Sequence, residues 1–454
     1  MITAKRFGRA GVSGDAVGAA SVSDMVCILP LSTDRVGRGL GWDVEYGMHD
    51  DLHFDIDACR EQFPSMVSGA AFFDGPGGTQ VPRRVMTAIT HYFEKSCANM
   101  GGAFASSRAT DAVLLGARSA MADLLGASDP GEIVFGASMT ALTFNFTRAL
   151  GRVLGPGDAV VVTELDHDAN FTPWVCLAER GVDVRVVPLR LDTFDIDYDV
   201  LEQHLADGRV CWVACTAASN ALGTAPDLER VIKAAHAAGA LVYVDAVQSV
   251  PHVLPNVDVM GADALACSAY KFCGPHVGVL WARREILAEL PAYKVRPSKV
   301  VPPYRWEQGT LPFELLAGVE AAVEYLADLS PIKGTRREQL IDAYHRIENY
   351  ELELAVRLTN GLNSIPSITT YGPPVDGKRV PTFALNVEGV APLSVVKQLA
   401  LKNICAWSGN YYAVNVMDRL GLAENGAVRL GIVHYLSEND VDRVVEGLRE
   451  VVAE

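Results

Sequence analysis

The stretch Asp263–Arg284, DALACSAYKFCGPHVGVLWARR, sets a single lysine, Lys271, inside a run of apolar and small residues. Burial favours the neutral form of an amine and lowers its pKa, so an ammonium there is costly unless it has a partner or a chemical task. The two flanks of that lysine, DALACSA and GVLWARR, are short, apolar and bounded by glycine, proline and charge, the pattern of buried strands.

Upstream the same pattern recurs at 132–138 (EIVFGAS), 158–165 (DAVVVTEL), 182–189 (VDVRVVPL), 209–217 (RVCWVACTA) and 240–247 (ALVYVDAV). Between these lie helical patterns at 140–154, 172–180, 198–206 and 228–239. Strand and helix in alternation, with strands apolar on both faces, predict an α/β fold built on an open, mostly parallel sheet. Ligands on such sheets sit at the carboxyl ends of the strands.

After about residue 315 the pattern changes to a long charged helix (335–362), shorter strands at 382–389 and 427–435, and helices at 392–403 and 438–452. Three regions are expected: a loose leader over 1–47, rich in Gly, Ala, Ser and charge; a large α/β domain over 48–314, whose N-terminal segment can pack on the smaller unit; and a smaller C-terminal α+β domain over 315–454. Met48 is an alternative start.

Composition narrows the function. With 454 residues, 49% hydrophobic and 21% charged, the chain has the make-up of a globular protein. Its 55 acidic residues outnumber 39 basic ones, for a net charge of −16, and no Lys/Arg block is present to track phosphates, which argues against nucleic acid as a partner. No apolar run reaches the roughly 18 residues a membrane span needs. MVCILPL near the start is too short and lacks a cleavage site, so a soluble, cytoplasmic protein is expected. Nine scattered cysteines without C-x-x-C spacing argue against a disulfide framework and a metal site, and are expected to be core residues.

Polar residues collect at the predicted strand ends: His167 after one strand, Asn220 after a second, Asp245 and Gln248 after a third, and Ser138 at a strand-to-helix turn whose free amides make an anion site. Each alone has an ordinary use as a cap, turn or loop residue. Together with Lys271 they meet the needs of pyridoxal 5′-phosphate: an amine for its aldehyde, a carboxylate for its ring nitrogen, a flat side chain for its face and a helix N-terminus for its phosphate.

The ordered set DHDAN (166–170), ASNALGT (218–224), VDAVQ (244–248) and SAYK (268–271) resembles the class V aminotransferases of fold type I, above all their cysteine desulfurase-like branch, from about residue 70 onward. That resemblance implies roles. Lys271 would be the Schiff-base lysine, Asp245 would pair with the pyridine nitrogen, Gln248 would donate to the ring hydroxyl and His167 would stack on the ring. Ser138, the Met139 backbone and Ser268 would form the phosphate cup, with Tyr270 where many relatives have histidine. Gly309 and Thr310 in EQGTLP would reach the phosphate of a partner subunit, implying a homodimer with shared sites. Arg429, assisted by Asn220, would clamp the α-carboxylate of an amino-acid substrate.

One departure stands out. In the segment 404–422, ICAWSGNYYAVNVMDRLGL, the position where desulfurases carry a nucleophilic cysteine is Tyr412, while Cys405 is expected earlier, as a core residue on a strand entering the loop. Trp407, Tyr411 and Tyr412 would suit a bulky substrate or simply pack between domains. The leading expectation is carbon–sulfur cleavage on cysteine or a cysteine conjugate by elimination. Transamination, racemisation and decarboxylation of another amino acid remain alternatives, as does a cofactor-bearing protein that only binds.

Overall fold

A computed structural model of the chain describes residues 54–453. The leader expected over 1–47, Met48 and Cys27 lie outside them. In chain order the strands are β1 (Ala71–Phe72), β2 (Ile133–Gly136), β3 (Ala159–Thr163), β4 (Asp183–Val187), β5 (Val210–Thr216), β6 (Leu241–Asp245), β7 (Ala264–Ser268), β8 (Gly278–Ala282), β9 (Ile368–Tyr371), β10 (Thr382–Val387), β11 (Ile404–Cys405), β12 (Trp407–Gly409) and β13 (Ala427–Gly431).

The apolar runs of the first half form a seven-stranded sheet in the order β2-β8-β7-β6-β5-β3-β4. β4, β3, β5, β6 and β7 run parallel, while β8 is antiparallel to both its neighbours. Strands β3 and β5 to β8 are buried at every residue because helices cover both faces, which is why their sequences are continuously apolar instead of alternating. β4 is an edge strand and is correspondingly half-exposed. On one face an aromatic cluster fills the space, with the ring of Phe146 5.2 Å from those of Trp212 and Tyr243 and 5.8 Å from that of Trp306.

Helices form at Met139–Leu150, Tyr198–Leu205 and Leu228–Ala237, as the periodicity predicts. The segment expected to be helical from Thr172 to Arg180 differs. Its helix begins at Asp168, because the His167 side chain caps it, and yields to a 3₁₀ turn at Cys176–Arg180 soon after Pro173, which has no N–H to give. Helices Arg83–Lys95, Ala105–Leu125 and Phe313–Ala327, none of them singled out by the sequence, pack on one another.

A four-stranded antiparallel sheet, β12-β13-β10-β9, occupies the C-terminal part, beside the long helix Arg336–Asn363 that opens with a Thr335/Glu338 capping box. β1 pairs in parallel with β11, Ala71 opposite Ile404 and Phe72 opposite Cys405, so the N-terminal segment joins the C-terminal part. No helix among the described residues is long and apolar enough to cross a membrane.

The expectation that the cysteines are core residues needs correcting. Cys59, Cys211, Cys215, Cys267 and Cys273 are buried, but Cys97 and Cys176 are exposed and Cys405 is half-buried. Cys97 lies just past the end of a surface helix and Cys176 opens the solvent-facing 3₁₀ turn, so neither has a sheet over it.

Candidate active site

Each buried strand ends where the sheet's hydrogen bonding stops, and the first polar side chain beyond it is left at the sheet's rim. At the end of β6, Asp245 is buried, and its Oδ1 accepts from the Val247 amide at 2.9 Å. Burial pushes its carboxyl up to about 6, with Lys271 pulling the other way.

Lys271 follows β7 in a single 3₁₀ turn and is 7% exposed. Burial above all, then the Arg429 charge, pulls its amine down to about 7, against the pull of Asp245. Its Nζ donates to the Pro76 carbonyl and lies 5.0 Å from the centre of the Tyr270 ring. Pro76 belongs to the Gly75–Gly77 turn, which sequence reasoning did not assign to the site; the glycine-rich GPGG run was its only signal.

His167 accepts from the Ala169 amide through Nδ1 at 2.9 Å, so its proton sits on Nε2. Burial, then the positive charges of Lys271 and Arg429, lowers it to about 4 and keeps the ring neutral. Tyr412 stacks against it, centroids 5.6 Å apart and planes inclined by 27°. Behind lies a second residue the sequence reading passed over: Asp166 is buried, accepts from Thr163 at 2.5 Å and Asn170 at 2.8 Å, and is raised to about 8, chiefly by burial.

Gln248 donates through Nε2 to the Thr382 hydroxyl at 3.1 Å, while its Oε1 is buried without a partner. Asn220 has the same character: Nδ2 donates to the Tyr411 carbonyl at 2.8 Å and Oδ1 is buried, and neither amide oxygen has a partner among the described residues. Buried polar atoms without partners are rare in native proteins and call for an explanation such as a missing ligand.

Ser138 caps the helix Met139–Leu150, its hydroxyl accepting from Ala141 at 3.1 Å. Gly278 faces that helix start so closely that a Cβ there would lie 2.2 Å from the Ser138 carbonyl carbon and 2.5 Å from the Met139 nitrogen. Gly278 also pairs with Ser268 at the end of β7, so Ser138, Met139 and Ser268 are brought together. Tyr270 is half-buried and stacks on His276 at 4.8 Å. Gly309 and Thr310 lie exposed, just beyond a buried Glu307 held by Arg118 at 2.8 Å and by the Phe135 amide at 3.0 Å.

Arg429 rises from β13 and is only 5% exposed. Its Nη1 donates to the Asn220 carbonyl at 2.9 Å, its guanidinium lies 4.4 Å from the centre of the Tyr411 ring, and it forms no ion pair with a carboxylate among the described residues. Burial pulls it down to about 10, leaving it charged at neutral pH. Trp407 is the cross-strand partner of Arg429 and so shares its face of the sheet. Cys405 stands on β11, but half-buried, with its thiol raised by burial and by Asp74. It belongs neither to the core nor to the turn that carries Tyr412.

The family model described as "Aminotransferase class-V" matches residues 71–444. The chain is 31% identical to the aminotransferase-like protein FGM3 of Gibberella zeae, over 88% of this chain and 99% of that one. It is 30% identical to the cysteine desulfurase of Dickeya dadantii, over 88% and 97%. Among solved structures, the cysteine desulfurase from Thermococcus onnurineus NA1 superposes with a TM-score of 0.78 at 28% identity, covering 89% of this chain and 99% of its own. A parallel sheet with a buried lysine and aspartate at its rim, joined to matches over nearly the whole described chain, places this protein in the class V aminotransferase family, pyridoxal-phosphate-dependent enzymes of fold type I, on its cysteine desulfurase-like branch.

Proposed function

We propose that the protein binds pyridoxal 5′-phosphate on Lys271 and cleaves the carbon–sulfur bond of cysteine or an S-substituted cysteine, working as a cytoplasmic homodimer. The observation that carries this reading is the pairing of a buried amine lowered to about 7 with a buried carboxylate, beside an arginine that forms no ion pair among the described residues.

The residues fit the cofactor. The unpartnered oxygens of Gln248 and Asn220 would be satisfied by a polar ligand, and the close approach of Gly278 to the Ser138–Met139 amides leaves a side-chain-free cradle suited to phosphate. When bound, pyridoxal phosphate supplies a conjugated ring that takes up the electron pair left at the substrate's α-carbon.

The chain's own groups do the rest. Asp245 would keep a proton on the ring nitrogen, the neutral His167 would lie against the ring, and Arg429 would hold the α-carboxylate. The Lys271 amine, which burial pulls down to about 7, would remove the α-proton. The sulfur would leave with the bonding pair and gain a proton, and the remaining fragment, once displaced by the Lys271 amine, would be converted by water into pyruvate and ammonia. The exposed Gly309 and Thr310 support a site completed by a second copy.

The turn 410–413 holds no cysteine, and the Cys405 thiol is raised instead of lowered, which favours elimination over transfer of sulfur to a protein thiolate. The aminotransferase-like relative supports a second reading, transfer of the amino group. Incubating cofactor-loaded protein with cysteine, S-substituted cysteines and other amino acids, with and without a keto-acid acceptor, separates the two. Pyruvate appearing with equimolar thiol or sulfide is expected; sulfur-free turnover that releases a keto acid overturns the lead.

A further inference from the structure

The loop that follows β12 carries backbone strain. Asn410 to Ala413 close a turn through the Ala413 amide to the Asn410 carbonyl at 2.8 Å, and both central residues are left-handed: Tyr411 at φ 55° and Tyr412 at φ 58°. Turns of this kind favour Asn-Gly, since a Cβ in the left-handed region costs on the order of 1–2 kcal/mol per residue. Two adjacent tyrosines persist there only because surrounding contacts over-determine them.

Those contacts lead to the amino-acid site. The Tyr411 carbonyl accepts from Asn220 Nδ2 at 2.8 Å, and the Tyr412 carbonyl accepts from the amide of Asp168, the residue after His167, at 2.7 Å. The Tyr411 hydroxyl donates to the Ala427 carbonyl on β13, two positions before Arg429. Asn220 in turn accepts from Arg429 Nη1 at 2.9 Å, and the Tyr411 ring covers the guanidinium at 4.4 Å. Arginine, asparagine and tyrosine thus form a closed circuit in which one guanidinium nitrogen is used and one face is covered. Nε and Nη2 make no hydrogen bond among the described residues.

We propose that Tyr411 is a positioning residue for substrate capture: held at a backbone cost in the Asn410–Ala413 turn, it fixes the plane of the Arg429 guanidinium so that its free edge meets the substrate's α-carboxylate. This rests on the proposed function, since it presumes an amino-acid substrate. A glycine in the turn would relieve the backbone but could not cover the guanidinium. A mobile arginine would lose the planar, two-pronged geometry that makes it better than lysine for a carboxylate.

The test uses cofactor-loaded protein and two amines followed through the cofactor's absorption band: L-alanine, which has a carboxylate but no leaving group, and ethylamine, which has no carboxylate. Tyr411→Ala is expected to weaken L-alanine by about tenfold to a hundredfold while ethylamine changes less than about twofold. In turnover, KM for the amino acid rises and kcat stays within about threefold.

Tyr411→Phe, which keeps the ring and loses only the anchor to Ala427, should fall between wild type and Tyr411→Ala. Tyr411→Gly, which relieves the strain, guards against a folding failure: it should unfold no more readily than wild type and still lose L-alanine selectively. Equal losses for both amines, or no loss for either in a folded variant, overturn the inference. A wild-type cofactor band that responds to no amino acid would instead overturn the proposed function beneath it.

Discussion

The rim of the large sheet and the Asn410–Ala413 turn face the same Lys271–Arg429 space, yet they differ in how much of their aim is local. At the rim, two side chains are aimed locally, Asp245 by the amide of Val247 and His167 by that of Ala169, each two residues away, while Lys271 and Gln248 also reach Pro76 and Thr382 in distant segments. At the turn, aim is remote: Tyr411 is held by Asn220 across 191 residues, and Arg429 by the same asparagine across 209. The proposed cofactor side therefore depends in good part on strand ends that form with the sheet. The proposed substrate side depends on how the C-terminal sheet docks against that rim, so substitutions there should change amino-acid capture before they change cofactor binding.

The largest effect should come at the rim. Lys271→Ala is expected to lower turnover by about 10²–10⁴-fold and to abolish the covalent cofactor adduct on residue 271, as read by mass spectrometry after borohydride reduction. If an adduct or near-normal turnover survived, the rim would not be the cofactor site.

A second break acts on stability. Burial lowers the Lys271 amine to about 7 against 10.5 for a free lysine, so the unfolded chain holds that proton over a pH range in which the folded one does not. Its cost to the cofactor-free protein is therefore full below pH 7 and is relieved as pH rises from 7 to 10.5. Replacing the amine by a similar apolar shape, Lys271→Met, should stabilise the cofactor-free protein at pH 6 by on the order of 3 kcal/mol, with the difference shrinking toward pH 10. Urea unfolding of both proteins across that range gives the answer; a difference independent of pH would mean that the amine is not desolvated.

How much of this was visible in the chain follows the same division. Lys271, Asp245, His167 and Asn220 could be placed because each lies at or within a few residues of the end of a continuous apolar run, and a parallel strand buried on both faces announces itself by composition alone. The buried central strands of the large sheet were legible for the same reason, and the half-exposed edge strand β4 by its valines alone. What was not legible depends on contacts between distant segments. Pro76 as the acceptor for Lys271, the strained Tyr411–Tyr412 turn and the pairing of β1 with β11 leave no periodic trace. Asp166 was in plain view within DHDAN, but nothing local tells a buried carboxylate from a capping one. Cys97 and Cys176 misled because cysteine's usual burial was applied to segments that end on the surface.

A smaller break sharpens the phosphate side. Gly278→Ala would set a Cβ 2.2 Å and 2.5 Å from backbone atoms of Ser138 and Met139, which cannot rotate away. The helix start must shift, costing about 1–3 kcal/mol and weakening retention of the cofactor on dialysis, with the amino-acid preference of the loaded fraction unchanged. A normal cofactor content would show that the cradle tolerates the displacement and that the phosphate is held elsewhere.

The smallest effect should separate the two regions most cleanly. A Cβ at Gly77 would lie 2.8 Å from Trp407 Nε1 and 3.6 Å from Arg429 Nη2, and here the obstacle is the indole of a residue 55% exposed, free to swing toward solvent. Gly77→Ala should therefore leave stability within about 0.5 kcal/mol and the cofactor band intact. Trp407 shares the sheet face of Arg429, so moving its ring should raise KM for the amino acid severalfold with kcat nearly constant. Trp407→Ala alone should change KM too, but adding Gly77→Ala to it should do almost nothing more, because the ring that the methyl group displaces is already gone. Additive effects in the double variant would mean that Gly77 acts on Arg429 directly and that the indole is only packing.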